Sequence, residues 1–270
     1  MDLYTLCKRI NLQEEITDKV IAFNSSFNFL SIQQELIDLT NKQTAYDTYE
    51  KLTHNFKDDV DNIAILTTYL NAALITLKKY KQLGINEEIF IDTMKCFTRF
   101  INECKEKTGK YAFDRDWWTH KQVSMVIFRI GQLEYEFIEE DKKIISIHIP
   151  SDANMTKELL KSSIRDLNKF VDIIYKEYKD ATILCDTWLL SPKLKDFLNE
   201  PSKILNFQNM FNIVHIDQNS DDCFEWLFKK NRGYDLNEIE LTTSLQKNVK
   251  VLMDEGKHLG KATGYLKDEF

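Results

Sequence analysis

Apolar positions along this chain follow two different periods, and the change falls near residue 130. Before it they recur at helical spacing. Ile63, Leu66, Leu70, Ala73, Leu77 and Tyr80 step by threes and fours, which predicts a helix over 58–83. Gly84 stands where a left-handed glycine ends such a helix. Asn86 caps the next one, with Glu87 and Glu88 in its first turn, and its stripe of Ile89, Phe90, Met94, Phe97, Phe100 and Ile101 runs on to Gly109. Shorter amphipathic segments are predicted at 12–23, 32–39 and 45–55, with Phe27 and Phe29 of the intervening loop tucked inward. Asp116 or Thr119 starts a further helix that delivers Val123, Val126 and Ile127 to a core. No repeat at a fixed period is present.

After Ile130 the period is two. Leu133, Tyr135 and Phe137 alternate with Gln132, Glu134 and Glu136, and after the charged turn EEDKK, Ile145, Ile147 and Ile149 alternate with Ile144, Ser146 and His148. These are two strands of a hairpin, whose register must keep both apolar sets on one face. Pairing Ile138 with Ile144 sets Phe137 opposite Ile145, Tyr135 opposite Ile147, Glu136 opposite Ser146 and Glu134 opposite His148; a slip by two keeps the faces and changes the partners. Leu160, Ile164, Leu167, Val171, Ile174 and Tyr178 then predict a helix over 154–178, capped by Asn154 or Thr156. The dense apolar run ATILCDTWLL is a buried strand. A strand, a crossover helix and a strand in one sheet run parallel. Beyond it, Ser191-Pro192 opens a helix, NFQNMFNIVHID contains a strand, Asp221 and Asp222 start a helix bearing Phe224 and Trp226, and another helix spans 241–253. The closing GKHLGKATGYL reads as a glycine-interrupted strand or turn. The fold class is α+β: a helical bundle domain over 1–125, then a mixed β-sheet domain with flanking helices over 126–270.

Composition narrows the function. The 270 residues are 43% hydrophobic, enough for a full core, and only 7 Gly and 3 Pro punctuate them, which favours long helices. The net charge of −7, without a block of Lys and Arg, argues against nucleic acid as partner. Five scattered cysteines without a C-x-x-C pair indicate neither a zinc site nor a disulfide framework, so no metal is expected. The N-terminus meets charge before any signal-like apolar run, and no window reaches the roughly 18 apolar residues of a membrane span. A cytoplasmic protein acting on a small molecule, away from membranes, is the expectation.

Four places carry candidate chemistry. Glu134 with His148, and Asp186 on a neighbouring strand, form the first: a carboxylate beside an imidazole sets a general base near neutral pH. The plainer alternative is a cross-strand pair on an exposed face. The helix start at Ser151, Asp152, Ala153 and Asn154 is the second, as a ligand contact or simply as turn and cap chemistry. The third is Asp114 to His120, where Trp118 and His120 could line a pocket or pack an interface. In the fourth, Gly256, Gly260 and Gly264 with Lys257, His258 and Lys261 could hold an anion or serve as turn glycines between solvated cations. Cys185 sits on a core-like strand, where thiols are usually inert.

The stretches FDRDWWTHKQVSMVIFRIGQLEYE, HIPSDANMT, DTWLLSPKLKDFLNEPSKILNFQNMF and GKHLGKATG resemble a bacterial two-domain family that couples a helical acyltransferase N-terminal domain to a GNAT-like C-terminal domain. The resemblance covers Phe113 onward and, more loosely, the helical part. It implies a GNAT-like sheet in which acyl-CoA lies between two splayed strands with its pyrophosphate on the following helix start. Ile147 and Ile149 on the strand, and Asp152 and Asn154 at the helix start, would then hold the cofactor. Glu134 or His148 would be the catalytic base, and Trp118, His120, Asp186 and Trp188 would line the substrate pocket. GNAT enzymes carry a Q/R-x-x-G-x-G/A turn there, whereas this chain has SDANMT. The implied function is acyl transfer from acyl-CoA to an amine. The alternative is a non-catalytic ligand-binding or interaction protein on the same scaffold.

Overall fold

A computed structural model describes residues 1–59 and 61–268. The chain divides into two units, Met1–Ile130 and Gly131–Phe270. The first unit is built from α1 (Leu3–Arg9), α2 (Glu14–Ser26), α3 (Gln33–Asp38), α4 (Ala45–Asn55), α5 (Ile63–Gln82), α6 (Glu87–Met94), α7 (Cys96–Thr108), α8 (Asp116–Val123) and a short strand β1 (Ile127–Ile130). The hub is α5, which packs against α1, α2, α3, α6 and α8. A helix surrounded on several sides must bury its polar positions as well as its apolar ones. Thr67, Thr68 and Thr76 are fully buried, and their hydroxyls are satisfied by backbone carbonyls: Ile63 at 2.7 Å, Ala64 at 2.8 Å and Val123 at 2.6 Å.

Both predicted stops are present, since Gly84 and Gly109 take φ of +71° and +81°. Asn86 accepts the amide of Glu88 at 2.9 Å. The single helix expected after Asn86 is instead two, α6 and α7, parted at Lys95. The predicted 58–83 helix starts later, at Ile63, because the Asp59 carboxylate accepts the amide of Ala64 and so acts as a cap from outside the helix. The sequence pattern did not reveal α1, which buries only Leu3, Leu6 and Cys7 and is capped by Asp2.

The second unit contains β2 (Leu133–Glu139), β3 (Lys143–His148), α9 (Lys157–Ile173), β4 (Thr182–Thr187), α10 (Lys203–Gln208), β5 (Phe211–Asp217), α11 (Cys223–Phe228), α12 (Ser244–Asp254) and β6 (Lys261–Leu266). The strand order is β2-β3-β4-β6-β5. The sheet is mixed, with β3 and β4 parallel and the other neighbours antiparallel. The hairpin register is the predicted one, from Ile138 opposite Ile144 to Glu134 opposite His148. Along α9, Leu160, Ile164, Leu167 and Val171 form a buried stripe. This helix lies over the apolar sheet face, where Tyr135 shares a 2.8 Å hydrogen bond with Ser163 and Phe137 meets Phe170.

Two local expectations change, the strand expected within NFQNMFNIVHID is present, and the strand-or-turn alternative near the C-terminus is decided for a strand. The helix over 154–178 is shorter: α9 ends at Ile173, and Lys176–Tyr178 is a separate tight turn. The segment after Ser191 is a 3-10 turn, Pro192–Asp196, and the Ser191 hydroxyl donates to the Leu259 carbonyl at 2.6 Å instead of capping it. The run NFQNMFNIVHID divides, with α10 taking its start and β5 beginning at Phe211. The glycine-interrupted C-terminal segment is a full strand, β6, inserted between β4 and β5. Its glycines mark close approaches. At Gly264 a Cβ would lie 2.9 Å from the Cβ of Phe211, and at Gly260 (φ +77°) it would lie 2.7 Å from the Asp217 carbonyl oxygen.

That contact distinguishes Gly260 from the open C′ glycine Gly84, whose Cβ would meet nothing within 4 Å. Gly84→Ala is expected to cost about 1 kcal/mol for the left-handed conformation alone. Gly260→Ala adds a backbone clash and is expected to cost about 2–4 kcal/mol. Urea unfolding of the two variants checks the difference, and equal losses would contradict it.

Candidate active site

Each of the two central strands keeps its outer partner while losing the other. The β3–β4 ladder pairs Ile144 with Thr182, Ile145 with Ile183 and Ser146 with Leu184, and stops there. On the outside, β3 remains paired with β2 as far as His148, and β4 with β6 as far as Thr187. The strands therefore part after Ser146 and Leu184. At the point of parting the Cys185 thiol donates to the carbonyl of Ile147 at 3.2 Å. A side chain takes over one bond that a ladder partner would otherwise supply. Cys185 is fully buried, and that burial pushes its thiol far above the ordinary range, so it acts as a packed donor and not as a nucleophile.

His148 is the second residue of β3 beyond the last pair with β4. Side-chain alternation puts Glu134, Glu136, Ser146, His148, Leu184 and Asp186 on one face of the sheet. The plain expectation for this polar face was exposure, and the structure overturns it. Glu134 is 2% exposed, Glu136 9% and Ser146 8%. The partner of His148 also differs from expectation. Glu134 is directly opposite in register, yet the imidazole Nε2 lies 2.9 Å from the Glu136 Oε2, on the diagonal. Diagonal neighbours in a twisted antiparallel pair are within reach of long side chains. The residue opposite Glu136 is Ser146, whose small side chain leaves space for the ring to lean over it. Glu136 belongs to the same alternating set as Glu134, so the sequence pattern contained it but register alone pointed to the other carboxylate.

Asp186 shares the face without joining His148. It accepts from Lys261 Nζ at 2.8 Å and Thr263 Oγ1 at 2.9 Å across the β4–β6 pair. The bonded Asp186 carboxylate in turn holds Lys261 above its usual range. Lys261 also reaches Asp222 at 3.3 Å, His258 Nδ1 lies 2.6 Å from Asp221, and Lys257 pairs with Glu255. The cations of the glycine-rich C-terminal segment are thus committed to carboxylates, which does not favour an anion site there.

The β3–α9 turn is organised by its own hydrogen bonds. The Ala153 amide donates to the Pro150 carbonyl at 3.0 Å, and the Asn154 amide donates to the Gln132 side chain at 2.8 Å. The Asn154 side chain accepts from the Thr156 amide, an Asx turn that replaces the expected cap at Asn154. Thr156 holds the cap position but makes no side-chain cap bond. Asp152 is exposed. Lys203, on α10 packed against α9, lies 3.4 Å from the Asn154 Oδ1, a cation that sequence reading did not connect to this turn because 49 residues separate them.

The remaining predicted pocket residues are placed elsewhere. Trp188 turns off the end of β4 and packs on the apolar cluster of Leu194, Phe224, Phe228 and Val249. Trp118 and His120 lie on α8 in the first unit. Trp118 is half-buried under the Lys121 ammonium, 4.2 Å from its ring, while Trp117 is exposed, so neither tryptophan is a core residue. His120 is buried, its ring 5.7 Å from each of Tyr46 and Tyr49. One turn before it, Asp116 accepts from Thr53, and burial raises its carboxyl above the ordinary range. Among the described residues no group of His, Cys, Asp and Glu is placed to hold a metal ion, and no helix is long and apolar enough to cross a membrane.

Comparison with known proteins agrees with this architecture. Among solved structures the chain is similar to an acyltransferase in complex with decanoyl-CoA and teicoplanin, with a TM-score of 0.79 at 16% identity, covering 97% of this chain and 86% of that one. It is similar also to an acyltransferase in complex with CoA and 10C-teicoplanin, with a TM-score of 0.73 at 14% identity, covering 99% of both chains. At these identities the likeness establishes the fold. No curated protein sequence matches the chain. Residues 1–125 match the model of an N-acyltransferase N-terminal domain, and residues 127–266 match that of a GNAT-like C-terminal domain. The chain belongs to the family that joins an N-acyltransferase N-terminal domain to a GNAT-like C-terminal domain.

Proposed function

We propose that this protein is an acyl-CoA-dependent N-acyltransferase acting on an amine of a small molecule. The observation that carries the reading is the parting of β3 from β4 just before His148, with both strands still held by their outer neighbours. Such a gap exposes backbone amides and carbonyls to an extended ligand, and the pantetheine arm of CoA carries amides that can complete them. The known activity of the family and the acyl-CoA held by its structural neighbours support the same choice of donor.

The residues at the turn fit CoA in an altered form. No glycine is present, and the amides of Ala153 and Asn154 already have acceptors. The groups left to meet a diphosphate are the first-turn amides of α9 and the ammonium of Lys203. Acyl-CoA supplies the activated thioester carbonyl. His148 removes the proton from the amine nitrogen as the C–N bond forms, and that proton goes to the thiolate sulfur as the C–S bond breaks. Amine and thioester are thereby converted into amide and thiol without net gain or loss of protons. Glu134, Ile147, Ile149 and Asp152 line the same region, while Asp186 is held back from base chemistry by Lys261 and Thr263. The occupied turn amides are the specific observation in favour of the other reading, a non-catalytic binder, which predicts ligand binding without turnover.

Isothermal titration with acetyl-CoA and decanoyl-CoA is expected to show binding in the micromolar range, and no binding at millimolar concentration would sink the proposal. His148→Ala is expected to lower kcat with an amine acceptor by about 10²- to 10⁴-fold while acyl-CoA affinity is kept. Lys203→Ala is expected to weaken CoA several-fold and to leave the affinity for an acyl-pantetheine, which lacks the diphosphate, unchanged. An equal loss for both ligands would remove Lys203 from the phosphate role.

A further inference from the structure

The β3–β4 ladder ends where Ser146 stands opposite Leu184. Continued by two residues, the same register sets His148 on β3 against Asp186 on β4. Both side chains belong to the polar face, and in a closed ladder they would be neighbours on strands about 4.8 Å apart. The parting of the strands puts them instead on the two lips of the gap. Each is tied outward to the strand that still holds its own: His148 to Glu136 on β2, and Asp186 to Lys261 and Thr263 on β6. The Asp186 side chain is nevertheless 42% exposed. Its two bonds use one acceptor site on each oxygen, Oδ2 for Lys261 and Oδ1 for Thr263, and a carboxylate offers about four such sites. Lys261 is also divided between Asp186 at 2.8 Å and Asp222 at 3.3 Å.

We infer that Asp186 is an acceptor-selecting residue: its carboxylate receives the acceptor as an ammonium ion on the lip opposite His148, and so favours amines over uncharged nucleophiles. This rests on the acyltransferase reading of the same site and adds to it what distinguishes the acceptor. An alkylamine is an ammonium ion near neutral pH, as a lysine side chain is. Its N–H groups and its charge both suit a carboxylate that still has acceptor sites facing solvent, whereas an alcohol or hydrazide of like shape brings no charge. Asp186 takes no proton. The bound ammonium gives one proton to solvent, and the neutral amine then attacks the thioester carbonyl, forming the C–N bond as the C–S bond breaks. Ammonium and thioester thus yield amide, thiol and one proton. Lys261 and Thr263 are the positioning residues, since they fix the carboxylate across the β4–β6 pair.

The test compares two nucleophiles of like shape with the full chain and decanoyl-CoA as donor: hexylamine, charged near neutral pH, and hexanohydrazide, uncharged there. The quantity read is the ratio of their kcat/KM values. Asp186→Asn keeps the shape of the side chain and an acceptor for Thr263. In this variant the ratio is expected to fall by about three- to tenfold, through KM for hexylamine. A purely structural role would lower both nucleophiles together and leave the ratio as in the wild type. In Lys261→Met the carboxylate loses a competing cation, so the ratio is expected to hold or rise. An unchanged ratio in Asp186→Asn, or an equal fall in Lys261→Met, would overturn the assignment. Should Asp186→Asn fail to fold, the double variant Asp186→Asn with Lys261→Met removes both charges together and is expected to show the same fall. A wild type that acylates neither nucleophile would defeat the acyltransferase reading. Binding then decides the role of Asp186: in NMR titrations hexylamine is expected to bind more tightly than hexanol, and to lose that preference in Asp186→Asn. Equal binding in the wild type, or a preference kept in the variant, would overturn it.

Discussion

Two adjacent parallel strands in the middle of a sheet cannot separate unless something else holds each of them. Backbone N–H and C=O groups that lose a ladder partner must find another or meet solvent. Here the outer pairings carry the strands past the point where the inner one fails. Glu134 opposite His148 extends the β2 side, and Thr187 opposite Ala262 extends the β6 side. The Cys185 thiol satisfies the carbonyl of Ile147, the first residue of β3 beyond the last inner pair. The close fit of β6 contributes as well: Gly264, opposite Cys185, has no room for a side chain against Phe211, Ile213 and Leu190. The gap is therefore a property of the whole sheet, sustained by its flanks.

From that constraint the polar face acquires its meaning. The residues on it sit next to the strand that has lost its neighbour, and two of them, Glu134 and Glu136, are buried although charged. Burying a carboxylate is costly unless it is paired. Glu136 meets that requirement in part through His148, whereas Asp186, which is exposed, is bonded to Lys261 and Thr263 across the β4–β6 pair. The difference matters for chemistry. A carboxylate tied to an ammonium and a hydroxyl has its oxygens engaged by donors, whereas one tied to an imidazole adjoins a ring that can both donate and accept a proton.

Much of this fold could be read from hydrophobic spacing because burial enforces it. The parity of the β2–β3 register followed from the pattern, since a slip by one residue would put Tyr135 and Phe137 on the opposite face from Ile145 and Ile147. The long helix α5 and its glycine stop were legible for the same reason. The parting of β3 and β4 was not legible, since Ile147 and Cys185 look like ordinary core residues whether or not their strands are bonded. Nor was the choice between strand and turn for β6. Its glycines, which in isolation signal turns, answer to the packing of Phe211 and the Asp217 carbonyl brought in from 53 and 43 residues away in sequence.

The exchange of Glu134 for Glu136 as the partner of His148 shows where pattern reasoning about sites stops. Alternation specifies the face on which a side chain lies, and register specifies the residue across from it, but neither includes the twist of the pair or the size of the residue in between. Had the residue opposite Glu136 been as large as Ile144, the imidazole would have met it instead of crossing over it. Ser146 is thus as much a determinant of the site as either carboxylate, although it contributes only the space that a larger side chain would fill. Small residues beside a catalytic candidate are weak signals in a sequence because serine is common on polar strand faces. In the folded sheet, the absence of bulk at one position selects which of two chemically identical neighbours completes the pair.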